Sequence, residues 1–430
     1  METNQTEKQK VDDQNGIKSF FNSHLGHFVV SIFVITFLMI PTAQVGSLIA
    51  ERQNRQSEVT EALSREWGPA LKLNGLVLEV PMFGKEKGPL YIYPEKSSEE
   101  INAQVNERYR GIFKANIFSA KLKSTSSFQL QKIKKNSAVQ LDWSRARILL
   151  ITGKGARFTE LANIKVNGQV VEIAGQTGRH GLTSYTNSFM IDSTAMSLTA
   201  QYAAELNGTE RIIYEPTAAQ SKLNLTSNWM DPAFSGTMLP LNGSFKKEGN
   251  HIKASWKNLT HIGTGSKTSE NVIEHGNQAY SSIEFITILD QYQLNERTIK
   301  YAILVLTLTF AVFFLVQIVG KKMIHPIHYL MIGLALLLFY SLLLSLSEHL
   351  GFNGAYIVSA LAIISLIFWY AKSILNSTKF AVMCALGLLK LYAFLLVLVN
   401  LEVYALLVGS IGLLLVLAAI MSVTRKIKID

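Results

Sequence analysis

The 430-residue sequence contains a single cysteine, Cys384, and this scarcity limits the covalent chemistry of the chain. One cysteine cannot form a disulfide within the chain, and a cysteine-based metal site needs several thiolates. Any exported part of the protein is therefore expected to fold without covalent cross-links.

Charged residues are also scarce. They make up 17% of the sequence and hydrophobic residues 48%, whereas about 25% of a typical soluble protein is charged. The formal net charge is +10, but much of the positive charge flanks apolar runs, as in proteins whose membrane topology is set by lysine and arginine. The composition therefore predicts a membrane protein rather than a nucleic-acid-binding protein.

Catalytic and ligand-binding signatures are absent from the sequence. Neither G-x-S-x-G nor H-E-x-x-H is present, and no cluster of Asp, Glu and His has metal-ligand spacing. The segment "GTGSKT" at 263–268 resembles a phosphate-binding loop, but Ser266 stands where that motif needs a glycine before the lysine. We therefore predict no enzymatic activity, no cofactor and no metal.

Long apolar runs, by contrast, are abundant. Residues 28–50 carry no charge and are long enough to cross a hydrocarbon core of about 30 Å. A cleaved signal peptide is the alternative, because Val45-Gly46-Ser47 resembles a small-residue cleavage site. The acidic residues within the preceding tail, 1–27, and the length of the run favour a retained transmembrane anchor.

Five more apolar runs follow Tyr301 and form a predicted membrane bundle over residues 301–424. Backbone polar groups in lipid must be satisfied within the segment, so each run is expected to be a helix. Together with the anchor they predict six transmembrane helices, the last five at 301–320, 327–347, 354–371, 380–399 and 403–424.

The charges between these runs predict the orientation of the chain. Lysine or arginine lies at every second connection, and the other connections carry acids without lysine or arginine. The positive-inside rule then places both termini, including residues 425–430, in the cytoplasm and residues 51–300 in the periplasm. The basic connections are Lys321 and Lys322, then Lys372 and Lys379, then the segment from Arg425 onward.

Residues 51–300 have the pattern of a water-soluble, β-rich domain. Many short segments alternate apolar and polar residues, a period of two that fits a half-buried antiparallel sheet. Asn167-Gly168 lies between two such segments and predicts a hairpin. The expected fold class is thus an α+β membrane protein, with a β-rich sandwich or twisted sheet between the first and second transmembrane helices.

Histidines and one glutamate lie at both ends of the run 327–347. His328 and His349 are 21 residues apart, or about 31 Å along a helix, so they cannot share a metal ion. His325 and His328 are interpreted as the cytoplasmic start of a helix, with Pro326 in its first turn. Glu348 and His349 are interpreted as a polar cap at the outer end; contact with the exported domain and a pH-sensing pair are the alternatives.

Lys390 lies near the middle of the run 380–399, where a charge is costly and suggests function. Tyr340 lies at a similar depth in another predicted helix and could accept a hydrogen bond from it. The alternatives are a structural polar contact and a transport or proton-relay role. No carboxylate lies at this depth, which argues against an ion-coupled carrier.

Two segments of the β-rich region stand out. Arg108 and Arg110 precede a glycine, where they could bind an anion or brace a turn, and we favour the brace. Trp229 begins the segment 229–240, which is expected to organise the domain as a folding element more than as a ligand contact.

Several segments together resemble the CreD family of bacterial inner-membrane proteins. The clearest is "YLMIGLALLLFYSLLLSLSEHLGFNGAYIVSA" at 329–360, and the others occur in the family's order. These are "NERYRGIF" (106–113), "SNWMDPAFSGTMLP" (227–240), "ERTIKYAILVLTLTF" (296–310) and "YALLVGSIGLLLVLAAIMSVTRKI" (404–427). The chain departs from the family at 73–81, which lacks a Gly-Pro, and at 151–158, which lacks an Asp.

The resemblance implies a multi-pass inner-membrane protein with a large extracytoplasmic domain. It also implies a role in cell-envelope integrity, in the regulon of the CreBC two-component system, and in tolerance of colicin and β-lactam stress. It implies no catalytic residue. We therefore expect a non-enzymatic envelope protein whose partners are the lipid bilayer and an envelope protein, lipid or cell-wall ligand. The alternative is a small-molecule or lipid transporter that uses the C-terminal helices.

Overall fold

A computed structural model defines an α+β fold with a large sheet-rich middle, as the sequence predicts. The chain divides into two compact units, here called the helical unit (Met1–Arg55 with Leu289–Asp430) and the sandwich unit (Gln56–Ile288). The structure describes residues 24–83, 89–131, 133, 140–153, 156–161, 164–177, 182–192, 194–259, 279–285, 291–320, 324–401 and 404–425.

The sandwich unit is built from β-strands separated by short connections. In chain order the described strands are β1 (Leu71–Val80), β2 (Leu90–Ile92), β3 (Lys96–Arg110), β4 (Phe113–Gln129), β5 (Arg147–Thr152), β6 (Arg157–Leu161), β7 (Ile164–Val166), β8 (Gln169–Val171), β9 (Ile173–Thr177), β10 (Leu182–Thr186), β11 (Ser197–Thr209), β12 (Arg211–Tyr214), β13 (Gln220–Ser227), β14 (Ala233–Gly236), β15 (Lys246–Glu248), β16 (His251–Leu259) and β17 (Ser281–Glu284).

These strands form two sheets. One has the order β14-β17-β12-β1-β5-β10-β9, with β2 beside β1; the other has the order β15-β16-β13-β3-β4-β11-β7-β8, with β6 beside β11. Inward side chains of both sheets form one buried apolar core. The alternation of buried and exposed residues along β3, β11 and β13 gives each strand one face toward that core, as expected for packed sheets.

The sheets are not purely antiparallel, as the sequence reading had assumed. β1 pairs with β12 in parallel, and β3 pairs with β13 in parallel. Parallel neighbours need a long connection between them. These pairings join segments more than a hundred residues apart in sequence, which local alternation cannot indicate.

Two hairpins illustrate the reach of the sequence pattern. Asn167 and Gly168 have φ values of 48° and 84° and connect β7 to β8, which confirms the predicted hairpin. The longer hairpin of β3 and β4 turns at Gly111, whose φ is 64°. Strand β3 was not recognised in the sequence, because its serines, glutamates and asparagines hide the apolar side of its alternation.

The helical unit contains the membrane-length helices. They are helix α1 (His24–Trp67), whose last residues belong to the sandwich unit, then α2 (Gln291–Lys300), α3 (Ala302–Gly320), α4 (Pro326–Leu375), α5 (Thr378–Asn400) and α6 (Ala405–Thr424). All except the short α2 are long and apolar enough to cross a membrane, giving five candidate spans among the described residues.

Helix α4 covers two of the predicted runs and is broken at one residue. Gly351 has φ 70° and ψ 164°, which is not a helical conformation. Residues 326–350 precede this break and residues 352–375 follow it, so each side has the length of a span.

Helix α2 was not expected. The sequence reading extended the β-rich domain to residue 300, whereas the structure groups Gln291–Lys300 with the helical unit. Its buried residues include Tyr292, Leu294, Asn295 and Thr298. Their spacing of two to four residues places them on one side of a helix, which packs against α4.

Candidate functional site

Glu348 lies at the centre of a polar cluster in the helical unit. Its carboxylate accepts a 3.2 Å hydrogen bond from the hydroxyl of Tyr292 on α2. The guanidinium Nε of Arg52 on α1 lies 3.6 Å from the same oxygen. The Glu348 side chain is only 11% exposed, so it holds three helices together from a largely water-excluded position.

A second hydrogen bond extends this cluster. The Asn295 amide donates 2.9 Å to the hydroxyl of Ser347, and both side chains are buried. His349 is exposed. Glu348 and His349 therefore occupy different environments, although they are adjacent in sequence. The cluster joins Glu348 to α2 and α1 within the helical unit.

Lys390 lines a cleft between α3, α5 and α6. The cleft has a volume of about 550 Å³, and most of its lining is apolar. Gly387 of α5 permits the close approach of α3, because a Cβ there would already be 3.6 Å from Val312. The arrangement brings one ammonium group into an otherwise hydrophobic cleft.

Tyr340 does not reach Lys390. Its hydroxyl is buried and has no hydrogen-bond partner among the described residues. The ring belongs to an aromatic cluster with Phe339, Tyr356 and Tyr392. Tyr392 and Lys390 are two residues apart on α5 and therefore face different sides of that helix. The hydrogen bond suggested from the sequence is not formed.

His325 and His328 occupy the start of α4. His325 is the N-cap residue, and Pro326 takes the first helical position, as predicted. His328 Nδ1 lies 2.9 Å from the hydroxyl of Tyr370, near the other end of α4. Among the described residues, no three His, Cys, Asp or Glu side chains come together as metal ligands.

Arg108 and Arg110 lie at the C-terminal end of α1, within the sandwich unit. The Arg108 guanidinium lies 5.7 Å from the centre of the Trp67 ring, and Arg110 forms a 3.3 Å ion pair with Glu66. Cations are favourable at a helix C-terminus, where unpaired carbonyls carry partial negative charge. Both contacts brace the helix end.

Arg157 completes this brace and was not identified from the sequence. It donates hydrogen bonds to the backbone carbonyls of Glu66, at 2.8 Å, and Arg65. The Trp67 indole donates to the carbonyl of Phe118 at 3.1 Å. The end of α1 is thus held by three strands of the sandwich, β3, β4 and β6. No local sequence signal marks Arg157 for this role.

Trp229 packs against the core of the sandwich. Its backbone amide donates to the Ser227 hydroxyl at 3.2 Å, while its buried indole N–H has no partner among the described residues. Nearby Phe234 makes edge contacts with Phe245 and Trp256. The segment after Trp229 therefore packs by aromatic contacts. The loop "GTGSKT" at 263–268 lies outside the described residues.

Glu99 is a buried carboxyl that the sequence analysis missed. It lies on β3 and is 4% exposed. The hydroxyl of Tyr214, on the opposite sheet, donates to it at 2.6 Å, and the Ser97 hydroxyl donates at 3.3 Å. Burial raises its pKa to about 7, against the lowering effect of these hydrogen bonds. Its sequence signal is parity, because Glu99 shares the inward face of β3 with Ile101.

A large sheet-rich unit combined with several membrane-length apolar helices defines an integral membrane protein with a substantial domain outside the lipid. The family model described as inner membrane protein CreD matches residues 24–430. The chain therefore belongs to the CreD family, as its motifs suggested. The inner membrane protein CreD of Escherichia coli (strain K12) is 29% identical over 422 residues, covering 93% of this chain and 92% of the relative.

Solved structures add little to this identification. A crystal structure from Parabacteroides distasonis ATCC 8503, named provisionally as a protease, covers 69% of this chain and 58% of its own. The sequence identity is 9% and the TM-score 0.25. Similarity at this level carries no argument about the fold or activity of the present chain.

Proposed function

We propose that this CreD-family protein supports the integrity of the bacterial envelope by binding a periplasmic partner through the sandwich unit and relaying that binding to the membrane helices. The observation that carries the proposal is the continuity of α1. It runs from His24 to Trp67 without interruption and contributes residues to both units. At 1.5 Å per residue, such a helix is on the order of 65 Å long.

The contacts of α1 support a mechanical role. At its end, Arg157 and Trp67 tie it to the strands of the sandwich. Earlier in the helix, Arg52 pairs with Glu348 of α4. A displacement of the helix end would thus be felt at Glu348 through a stiff element, whereas a flexible linker would lose it. The proposal assigns a binding role to the chain rather than catalysis.

Complementation of a strain that lacks the protein tests this function, with survival under β-lactam stress as the readout. Replacing Gln56–Ile288 by a short linker should abolish complementation. A fully functional deletion would refute the role of the sandwich unit. Two insertions between Arg55 and Gln56 then separate relay from tethering.

A seven-residue Gly-Ser insertion should impair complementation, because it uncouples the helix. A seven-residue alanine-rich insertion adds two helical turns and should impair it less. Equal tolerance of both insertions would mean that the sandwich unit acts only as a tethered binder. The pair of variants is matched in length, so it isolates stiffness.

We further propose six spans, with both termini in the cytoplasm and the sandwich unit in the periplasm. The break at Gly351 supports two spans within α4, and the lysines near residues 321 and 372 support the orientation. In cells, His349→Cys should react with a membrane-impermeant thiol reagent from the periplasm and Ser373→Cys should not. Both positions are exposed, and the native Cys384 is buried. The opposite labelling pattern would reverse the topology.

A second candidate function is transport of a small molecule or lipid through the helical unit. The cleft that reaches Lys390 favours it. The cleft is apolar, which suits a membrane-soluble substrate better than a polar solute. Proteoliposomes with and without the protein would test it by the rate at which a lipid-soluble probe changes leaflet.

A further inference from the structure

The cleft between α3, α5 and α6 has the dimensions of a ligand site. Its volume of about 550 Å³ falls within the range of roughly 300–1,000 Å³ that is common for small-molecule pockets. Apolar side chains make up nearly all of its wall, among them Val312, Leu388 and Phe394. Two polar side chains, Lys390 and Thr309, also line it.

Lys390 has no anionic partner within the protein. It takes part in none of the ion pairs formed among the described residues. Helices α3, α5 and α6 contain no Asp or Glu. Lys390 follows Thr378, the start of α5, by about 18 Å along the helix axis, which is mid-depth in a span. An ammonium group at that depth normally pairs with an anion.

Thr309 supplies a second, independent polar group. It is 1% exposed, and its hydroxyl has no hydrogen-bond partner among the described residues. A threonine in a helix usually bonds to a carbonyl of the preceding turn. A buried hydroxyl left without any partner costs free energy, which a ligand oxygen in the cleft would recover.

The cleft is accessible from the lipid side of the bundle. Leu415 of α6 lines it and is 62% exposed. None of the apolar stretch of α6 is buried within the protein. In a bilayer this surface faces acyl chains, so a ligand would enter from the membrane rather than from water.

We propose that this cleft binds a long-chain carboxylic acid drawn from the bilayer, with the chain against the apolar wall and the carboxylate paired with Lys390. The Thr309 hydroxyl is positioned as a further donor. A single carboxylate matches one ammonium and one hydroxyl. A phospholipid would bring a phosphate and two ester groups that the two polar side chains of the cleft could not satisfy.

This assignment deepens the second candidate function by naming its substrate class, but binding is measured without transport. Full-length protein in a neutral detergent is incubated with radiolabelled oleate, methyl oleate or phosphatidylglycerol, and the retained probe is counted after gel filtration. Wild type should retain oleate about tenfold more tightly than methyl oleate, as loss of a charge-assisted hydrogen bond implies.

Variants at Lys390 isolate the charge. Lys390→Leu should remove the preference for oleate over methyl oleate, and Lys390→Arg should restore most of it. Lys379→Leu removes a lysine from the first turn of the same helix, outside the cleft, and should leave oleate binding unchanged. Ala311→Phe, which narrows the cleft, should weaken binding of both oleate and its methyl ester.

Three results would overturn the proposal. They are equal retention of oleate and methyl oleate by wild type, unchanged oleate binding in Lys390→Leu, and stronger retention of phosphatidylglycerol than of oleate. Gel-filtration profiles and melting temperatures of each variant show whether it folds. Oleate binding without translocation would leave this site intact and reject transport, so the two failures are distinguishable.

Discussion

The hydroxyl of Tyr214 donates a 2.6 Å hydrogen bond to the carboxylate of Glu99 and so joins the two sheets of the sandwich through their common core. Tyr214 belongs to β12 of one sheet and Glu99 to β3 of the other. Neither side chain is more than 4% exposed. An ionisable group therefore lies at the middle of an otherwise apolar interface, and its protonation state affects the stability of the fold.

The stability of the protein should fall as the pH rises from about 4.5 to about 7 through the contribution of Glu99. Burial raises the pKa of this carboxyl to about 7 in the folded chain, above its unfolded value, so the folded state binds the proton more tightly in this window. The contribution is greatest below pH 4.5 and is lost on passing pH 7. Melting temperatures of the full-length protein in detergent, measured from pH 5 to pH 8, check this trend.

Glu99→Gln should flatten that pH dependence and raise stability at pH 8 by about 2–3 kcal/mol, because the amide resembles the protonated acid. Glu100→Gln is the matched control, since its side chain is exposed on the other face of β3 and should keep the wild-type slope. An unchanged slope in Glu99→Gln would show that the carboxyl does not govern the transition.

Removing the carboxylate of Glu348 should destabilise the helical unit. Glu348→Ala leaves the hydroxyl of Tyr292 and the guanidinium of Arg52 without their shared acceptor. The expected cost is about 1–3 kcal/mol, typical of a broken, largely buried hydrogen bond to a charged group. Thermal unfolding in detergent measures it. His349→Ala, at the exposed neighbouring position, should have little effect; an equal loss in both variants would contradict the assignment.

Gly351→Ala should be costly although no atom lies within 4 Å of the added Cβ. The backbone there has φ 70° and ψ 164°, a conformation almost confined to glycine, and the expected penalty is about 1–3 kcal/mol. Gly354→Ala is the control, because its Cβ makes only an ordinary 3.5 Å contact. If both variants melt alike, the break in α4 is not a fixed feature of the fold.

Arg157→Ala should loosen the end of α1. It removes the donors to the carbonyls of Glu66 and Arg65, for an expected loss of about 1 kcal/mol. Arg157→Lys should recover only part of this loss, because a lysine lacks the fork that reaches two carbonyls. Hydrogen exchange of the last turn of α1 reports the change locally. Lys165→Ala, at an exposed position of β7, should leave that exchange rate unchanged.

The apolar runs and the alternation in the sequence were informative because each depends on local chemistry. Lipid requires uncharged stretches of helix length, and a half-buried sheet requires a period of two. The membrane helices, the sheet-rich middle and the Asn167-Gly168 hairpin follow from these rules. Strand β3 escaped them, because its inward face carries Ser97 and Glu99 as well as apolar residues.

The candidate sites were only partly accessible from the sequence. The depth of Lys390 in an apolar run marked it as unusual, yet its cleft depends on how α3 and α6 pack beside α5. Glu348 was noted as a helix end, whereas its partners Arg52 and Tyr292 come from two distant segments. Arg157 and Glu99 were missed, since their roles arise from strands brought together across the chain.

The sequence by itself determined which segments belong to lipid and which to a water-exposed sheet, because hydrophobic length and period are properties of consecutive residues. Only the tertiary structure decided the parallel pairings of β1 with β12 and of β3 with β13, the bond between Glu99 and Tyr214, and the cleft at Lys390. These features depend on contacts between residues far apart in sequence, and the free energy of such contacts is set by packing rather than by local pattern.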